Sequence, residues 1–239
     1  MPATVRDALF LVVLFVANTV QAITGFAGTV LAMPFSILLI GANEAKVVLG
    51  IMALVSCLWL AVAGRRFIKW RELARILVFM AVGMVAGYAL YAVCPARPLQ
   101  RCYGVVIMLI AIINLVHPVQ GRLPQVLMVL ILLAAGVMHG MFVSGGALLA
   151  VYAAAMIPGK DEFRATVASV WVALNSVLLI TQIASGQVTS HALMLTGLGL
   201  PALALAIALG SWLARRISQQ GFLRLSYALL LVSGASIAI

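Results

Sequence analysis

Apolar and polar residues fall in long blocks along this chain. Stretches without Asp, Glu, Lys or Arg cover 8–43, 47–64, 76–96, 102–121, 123–159 and 165–214. Most are long enough for an apolar helix to cross a bilayer, which takes about 20 residues. Two blocks are interrupted. The first predicts a helical arm over 8–20, a break at 21–28 (QAITGFAG) and a second arm over 29–40; the other predicts 124–138, a break at 139–146 (HGMFVSGG) and 147–157. The remaining apolar segments are 45–63, 73–93, 101–116, 164–183, 192–214 and 222–238. The pattern predicts an all-α polytopic membrane protein.

The chain also resembles itself. At an offset of 118 residues Gly28 meets Gly146, Leu31 meets Leu149, Gly41 meets Gly159, Glu44 meets Glu162 and Lys46 meets Arg164. Later the offset drifts to 124 and pairs Leu99 with Leu223 and Tyr103 with Tyr227. Each identity is weak alone, but their order along the chain implies a duplication. Residues 1–120 form the first repeat and 121–239 the second, each a broken hairpin (8–40 and 124–157) followed by three spans.

Composition agrees. Hydrophobic residues are 65% of the 239 and charged residues 8%, with a mean hydropathy of +1.22. A soluble domain of this size cannot cover so much apolar surface. The net charge of +10 does not point to nucleic acid, because the basic residues sit in short loops and no basic domain with interleaved aromatics exists. VRDALFLVVLFVA near the N-terminus has the look of a signal peptide, but the following residues lack a small-x-small cleavage site, so it is expected in the mature chain. Cys57, Cys94 and Cys102 show no metal or redox spacing, and no cofactor is expected.

Charge sets the topology. If every broken element crossed fully, the fifteen basic residues would divide almost evenly between the two sides. If each is a hairpin that enters and leaves by one face, eleven collect on the side of the 64–75 loop (GRRFIKWRELAR), leaving Arg6, Lys46, Arg97 and Arg101 opposite. The positive-inside rule selects the hairpins, with 64–75 cytoplasmic and both termini outside. A hairpin plus three spans is an odd number of crossings, so the second repeat is inverted. Arms of about 12 residues rise about 18 Å and bring both hairpin tips to the middle of a ~30 Å core.

Backbone that leaves helix at membrane depth needs protein or a water-filled cavity around it. The second arms begin with free amides at Gly28–Leu31 and Gly146–Leu149, which favour an anion. Around them stand Gln21, Thr24, Gly25, Phe26, Gly28 and Thr29 in one copy, and His139, Gly140, Ser144, Gly145 and Gly146 in the other. Gln21 and His139 occupy equivalent positions. The apolar interiors of the spans hold no Asp, Glu, Lys or Arg, so binding is expected to rest on dipoles and neutral donors. His139 alone can add a positive charge, which makes it the candidate for proton coupling. Trp171 and Asn175, one helical turn apart, are candidates for the same cavity. Gly83-x-x-x-Gly87 reads as helix packing. Glu44 and Glu162 read as interface residues capping helix starts.

ITGFAGTVLAMP (23–34) and HGMFVSGGALLAV (139–151) resemble the glycine-rich repeat signatures of the TauE/SafE sulfite-exporter family, over the whole chain. Ala27, Thr29, Phe142 and Val143 depart from the glycine-richer family pattern. The resemblance implies a carrier of sulfite, sulfonates or related organosulfur anions in the cytoplasmic membrane of a prokaryote, not an enzyme, with a small anion and the lipid bilayer as partners and protons as candidate co-substrates. The bottom-up reading is a secondary transporter with alternating access around a midplane anion site. Two alternatives stay open: an anion channel, since re-entrant hairpins also occur in pores, and an intramembrane hydrolase using Ser144 and His139, which lacks an orienting carboxylate.

Overall fold

In the computed structural model, residues 3–93, 96–116, 124–143 and 145–238 are described. No strand occurs among them. The helices are α1 (Ala3–Thr24), α2 (Ala27–Ile40), α3 (Ala42–Ala63), α4 (Trp70–Val93), α5 (Ala96–Val116), α6 (Gln125–Phe142), α7 (Gly146–Met156), α8 (Lys160–Ala184), α9 (Ser190–Arg216) and α10 (Gln219–Ala238), with a 3-10 turn at Arg65–Phe67. Among the described residues six helices (α1, α3, α4, α6, α8 and α9) are long and apolar enough to cross a membrane. Large side chains such as Val85, Val126 and Leu205 stand 69%, 72% and 66% exposed, the outward apolar surface a helix offers to lipid. This is an all-α, multi-pass membrane protein.

The breaks are shorter than the sequence pattern implies. Helix α1 runs through Gln21 and Thr24, leaving Gly25 and Phe26 outside helix, and α6 runs through His139 and Gly140 to Phe142. Glycine and polar residues remain helical here because side chains and close-packed neighbours satisfy the backbone. The first arms are therefore longer than expected: 22 residues in α1 and 18 in α6, about 33 Å and 27 Å at 1.5 Å per residue. They reach past the centre of the bundle rather than stopping there.

Both broken elements fold back on themselves. Arg6 Nη2 lies 3.5 Å from Leu38 O, so the start of α1 and the end of α2 share one end of the bundle. The starts of α3 and α9 lie there too: His191 Nδ1 is 2.7 Å from Glu44 Oε2, Thr189 donates to Glu44 at 3.1 Å, and His191 Nε2 is 3.6 Å from Asp7. Glu44 thus ties α3 to α9 instead of capping its own helix. At the other end, Tyr152 of α7 donates to Glu72 at 2.6 Å, and Tyr152, Arg75 and the start of α6 share one groove. Lys69 and Glu162 pair there at 2.7 Å, and Lys160 bonds Ala214 O and Ile217 O at 3.1 and 2.7 Å. This basic end gathers the 65–75 residues with Lys160, Arg215 and Arg216.

Packing crosses between the halves. Helix α1 lies along α9 and α6 along α4, while α3 packs on α8 and α5 on α10. The α4–α6 seam is built on glycine. A Cβ at Gly83 or Gly87 would fall 2.2 or 2.1 Å from Leu133 O or Val137 O, and one at Gly136 or Gly140 would fall 2.2 Å from Met80 O or Met84 O. Backbones touch, as small-xxx-small pairs allow. Gly210 of α9 makes the matching approach to α1, 2.5 Å from Thr19 O.

Candidate functional site

The two hairpin tips touch. A Cβ at Gly146 would lie 2.9 Å from Phe26 O and 3.2 Å from the Phe26 ring. Phe26 is 1% exposed and meets Phe163 edge-on at 6.0 Å.

At the first tip the polar groups satisfy one another. Gly25 turns the chain at φ +85°, a conformation glycine adopts without strain, with Arg164 backbone 3.4 Å from where its Cβ would stand. Thr24 donates to Val20 O at 2.9 Å and accepts from Phe26 N and Ala27 N at 3.3 and 3.1 Å. Gln21 Oε1 accepts from Gly28 N at 2.9 Å, and its Nε2 donates to Gly25 O at 3.2 Å and Cys57 Sγ at 3.1 Å. Of the amides expected to face an anion, Gly28 N is thus taken by Gln21, and Thr24 caps the two amides just before it. Gly28 presses on Ala17 O and Gln21, and Thr29 borders a cavity of about 10 Å³ with Asn18 and Gln21, room for roughly one water.

At the second tip no equivalent bond occurs among the described residues. His139 is 1% exposed, and neither ring nitrogen has a hydrogen-bond partner among the described residues. Its ring lies against Trp171, centroids 4.9 Å apart and planes tilted 40°. Trp171 Nε1 and, one turn further along α8, Asn175 Oδ1 are also buried without a partner. Gly145 fits against Ala135 O and His139 Cβ, with a virtual Cβ at 2.2 and 3.1 Å. As the residue before α7 it supplies no side-chain cap. Val143 closes α6 in the left-handed region at φ 54°, where a β-branched residue is strained. Ser144 lies outside the described residues.

Gln21–Cys57 in the first half and His139–Asn175 in the second occupy equivalent positions at the 118-residue offset. The first pair is bonded; the second offers unmet donors and acceptors. The structure brings Trp171 and Gly145 against His139, and Asn175 follows Trp171 one turn along α8. It leaves Gln21, Thr24, Gly25 and Gly28 as internal supports of the first hairpin, and it commits Gly140 to the α4 seam.

One residue escaped the sequence reading. Arg164, counted there as a loop charge, donates through Nη2 to Ala22 O at the end of α1, and its Nε is buried without a partner among the described residues. It sits seven residues before Trp171 on α8, the same face about 10.5 Å away. A fixed cation therefore stands beside the first tip. The recurrence of Lys46 as Arg164 was the available signal, masked because both lie at span ends.

A family model described as sulfite exporter TauE/SafE matches residues 9–237. No curated protein and no solved structure matches the chain.

Proposed function

The chain belongs to the sulfite exporter TauE/SafE family, a family of anion transporters, and from that premise we propose a secondary carrier of small organosulfur anions that works by alternating access. The observation that carries the reading is a set of four buried atoms without a partner among the described residues: both His139 ring nitrogens, Trp171 Nε1 and Asn175 Oδ1. Each unmet group costs about 1–3 kcal/mol, a cost that a polar solute between them removes. Trp171 N–H and one imidazole N–H donate to anion oxygens. Asn175 Oδ1 accepts, and so favours a substrate bringing a donor of its own, such as hydrogen sulfite or an aminosulfonate. Arg164 adds positive potential along α8.

Two inverted repeats, 1–120 and 121–239, supply the motion. Hairpins that enter from opposite ends, touch at Phe26 and Gly146 and pack on helices of the other half support this reading, since such repeats rock about a central site. His139 is the proton carrier of this reading, since it is the one titratable side chain among His139, Trp171 and Asn175. The basic end faces the cytoplasm of a prokaryote. A hydrolase draws no support, since a catalytic histidine needs an orienting partner and His139 has none among the described residues.

Purified protein in liposomes loaded with sulfite should accelerate entry of labelled sulfite. Large single-channel currents without such counterflow would instead make it a pore, and no sulfite movement of either kind would remove the substrate assignment.

A further inference from the structure

At the end of the bundle opposite the basic one, a cavity of about 180 Å³ opens beside the second hairpin tip, bordered by Asn43, Lys46, Tyr91, Gly140, Thr181 and Gln182 among others. It is more than ten times the ~10–15 Å³ that one water requires. No Asp or Glu borders it. Lys46 Nζ stands 3.8 Å from the centre of the Tyr91 ring and takes part in none of the ion pairs among the described residues.

The duplication makes this arrangement informative. Arg164, the counterpart of Lys46, donates to Ala22 O. The carbonyl equivalent to Ala22 at the 118-residue offset belongs to Gly140, which borders the cavity. Lys46 thus faces a ring and open space where its twin faces a helix end. Gln182 connects this space with the interior. Arg164, Trp171, Asn175 and Gln182 follow at spacings of 7, 4 and 7 residues on α8, within about 20° of one line at 3.6 residues per turn, over about 27 Å of a ~30 Å core. The equivalent line along α3 and the residue after it reads Lys46, Ala53, Cys57, Gly64 and carries no amide or indole donor beyond Lys46.

We propose that this cavity is a second anion site, the outer capture site from which a small oxyanion passes along α8. Lys46 is its cation, and Asn43 and Gln182 are its hydrogen-bonding walls. Its place on a transport route rests on the carrier reading; its capacity to hold an anion does not.

The test separates the two. In detergent, sulfite, acetate and neutral dimethyl sulfone are titrated against the His139→Ala protein, in which the inner constellation is lost, and stabilisation is read from thermal unfolding. Sulfite should still stabilise that protein, dimethyl sulfone should not, and adding Lys46→Gln should abolish the shift while Lys46→Arg retains it. In liposomes, Lys46→Gln should raise the half-saturating sulfite concentration from the Lys46 side about tenfold, the size of one lost charge-assisted hydrogen bond, with the maximal rate kept. Equal sulfite responses with and without Lys46 overturn the site. Lys46-dependent binding in a protein that moves no sulfite retains the site and removes the carrier reading. Should Lys46→Gln not fold, Ser185→Trp, which fills the cavity from the end of α8, must produce the same loss.

Discussion

Replacing His139 with leucine removes two ring nitrogens that are buried without a partner and keeps most of the side-chain volume. Two unmet groups at about 1–3 kcal/mol each give a gain of about 2–6 kcal/mol. Loss of the ring contact with Trp171, 4.9 Å between centroids, takes back about 0.5–1.5 kcal/mol, the usual value of an aromatic pair. The substrate-free protein should therefore become more stable by at least about 0.5 kcal/mol, or about 1–2 °C in unfolding temperature for a chain of this size. Sulfite should shift that temperature less than in the parent, only by the share that the Lys46 cavity supplies. Stability gained where function is lost is the mark of a site whose polar groups await a ligand. Thermal unfolding of both proteins in one detergent, with and without sulfite, measures it. A leucine variant less stable than the parent by 1 kcal/mol or more would refute the reasoning, since His139 would then be a satisfied structural histidine.

Other perturbations separate structural supports from the site. Gln21→Leu strands Gly28 N and breaks the contacts to Gly25 O and Cys57; it should cost about 1–3 kcal/mol, read by thermal unfolding, yet leave the half-saturating sulfite concentration within about twofold, a range well inside 1 kcal/mol of binding energy. Gly87→Ala places a Cβ 2.1 Å from Val137 O, a backbone clash that should cost about 3 kcal/mol or more and show as aggregated protein on gel filtration. Val143→Gly relieves a left-handed φ of 54° and should raise stability by up to about 1 kcal/mol, the left-handed penalty less the added chain entropy of glycine.

The apolar blocks made the fold legible: every span expected from them is a helix, because twenty residues without a charge leave few other structures in a membrane. Charge argued for the hairpins, since a fold-back puts the 64–75 cluster on one side with Lys160, Arg215 and Arg216. The extent of the breaks was not. Gln21 and Thr24 look like loop residues in one dimension, but they end a helix and cap the next with their own side chains. Equally hidden was which half carries the unmet polar groups. Gln21 and His139 are interchangeable by position, and the difference lies 36 residues away: Cys57 Sγ accepts from Gln21, whereas Asn175 Oδ1 and His139 have no partner among the described residues. Arg164 was hidden for a related reason, because its reach to Ala22 O spans 142 residues of sequence.

The central claim, a small-anion carrier whose site lies at the second hairpin, is tested most directly by Trp171→Phe in sulfite counterflow. This change removes one N–H and keeps an aromatic ring against His139. Loss of a donor to an anion is worth about 1.5–3 kcal/mol, so the half-saturating sulfite concentration should rise at least tenfold while the protein unfolds at the same temperature or higher. Counterflow with unchanged half-saturation in that variant would contradict the account and move the substrate away from His139, Trp171 and Asn175.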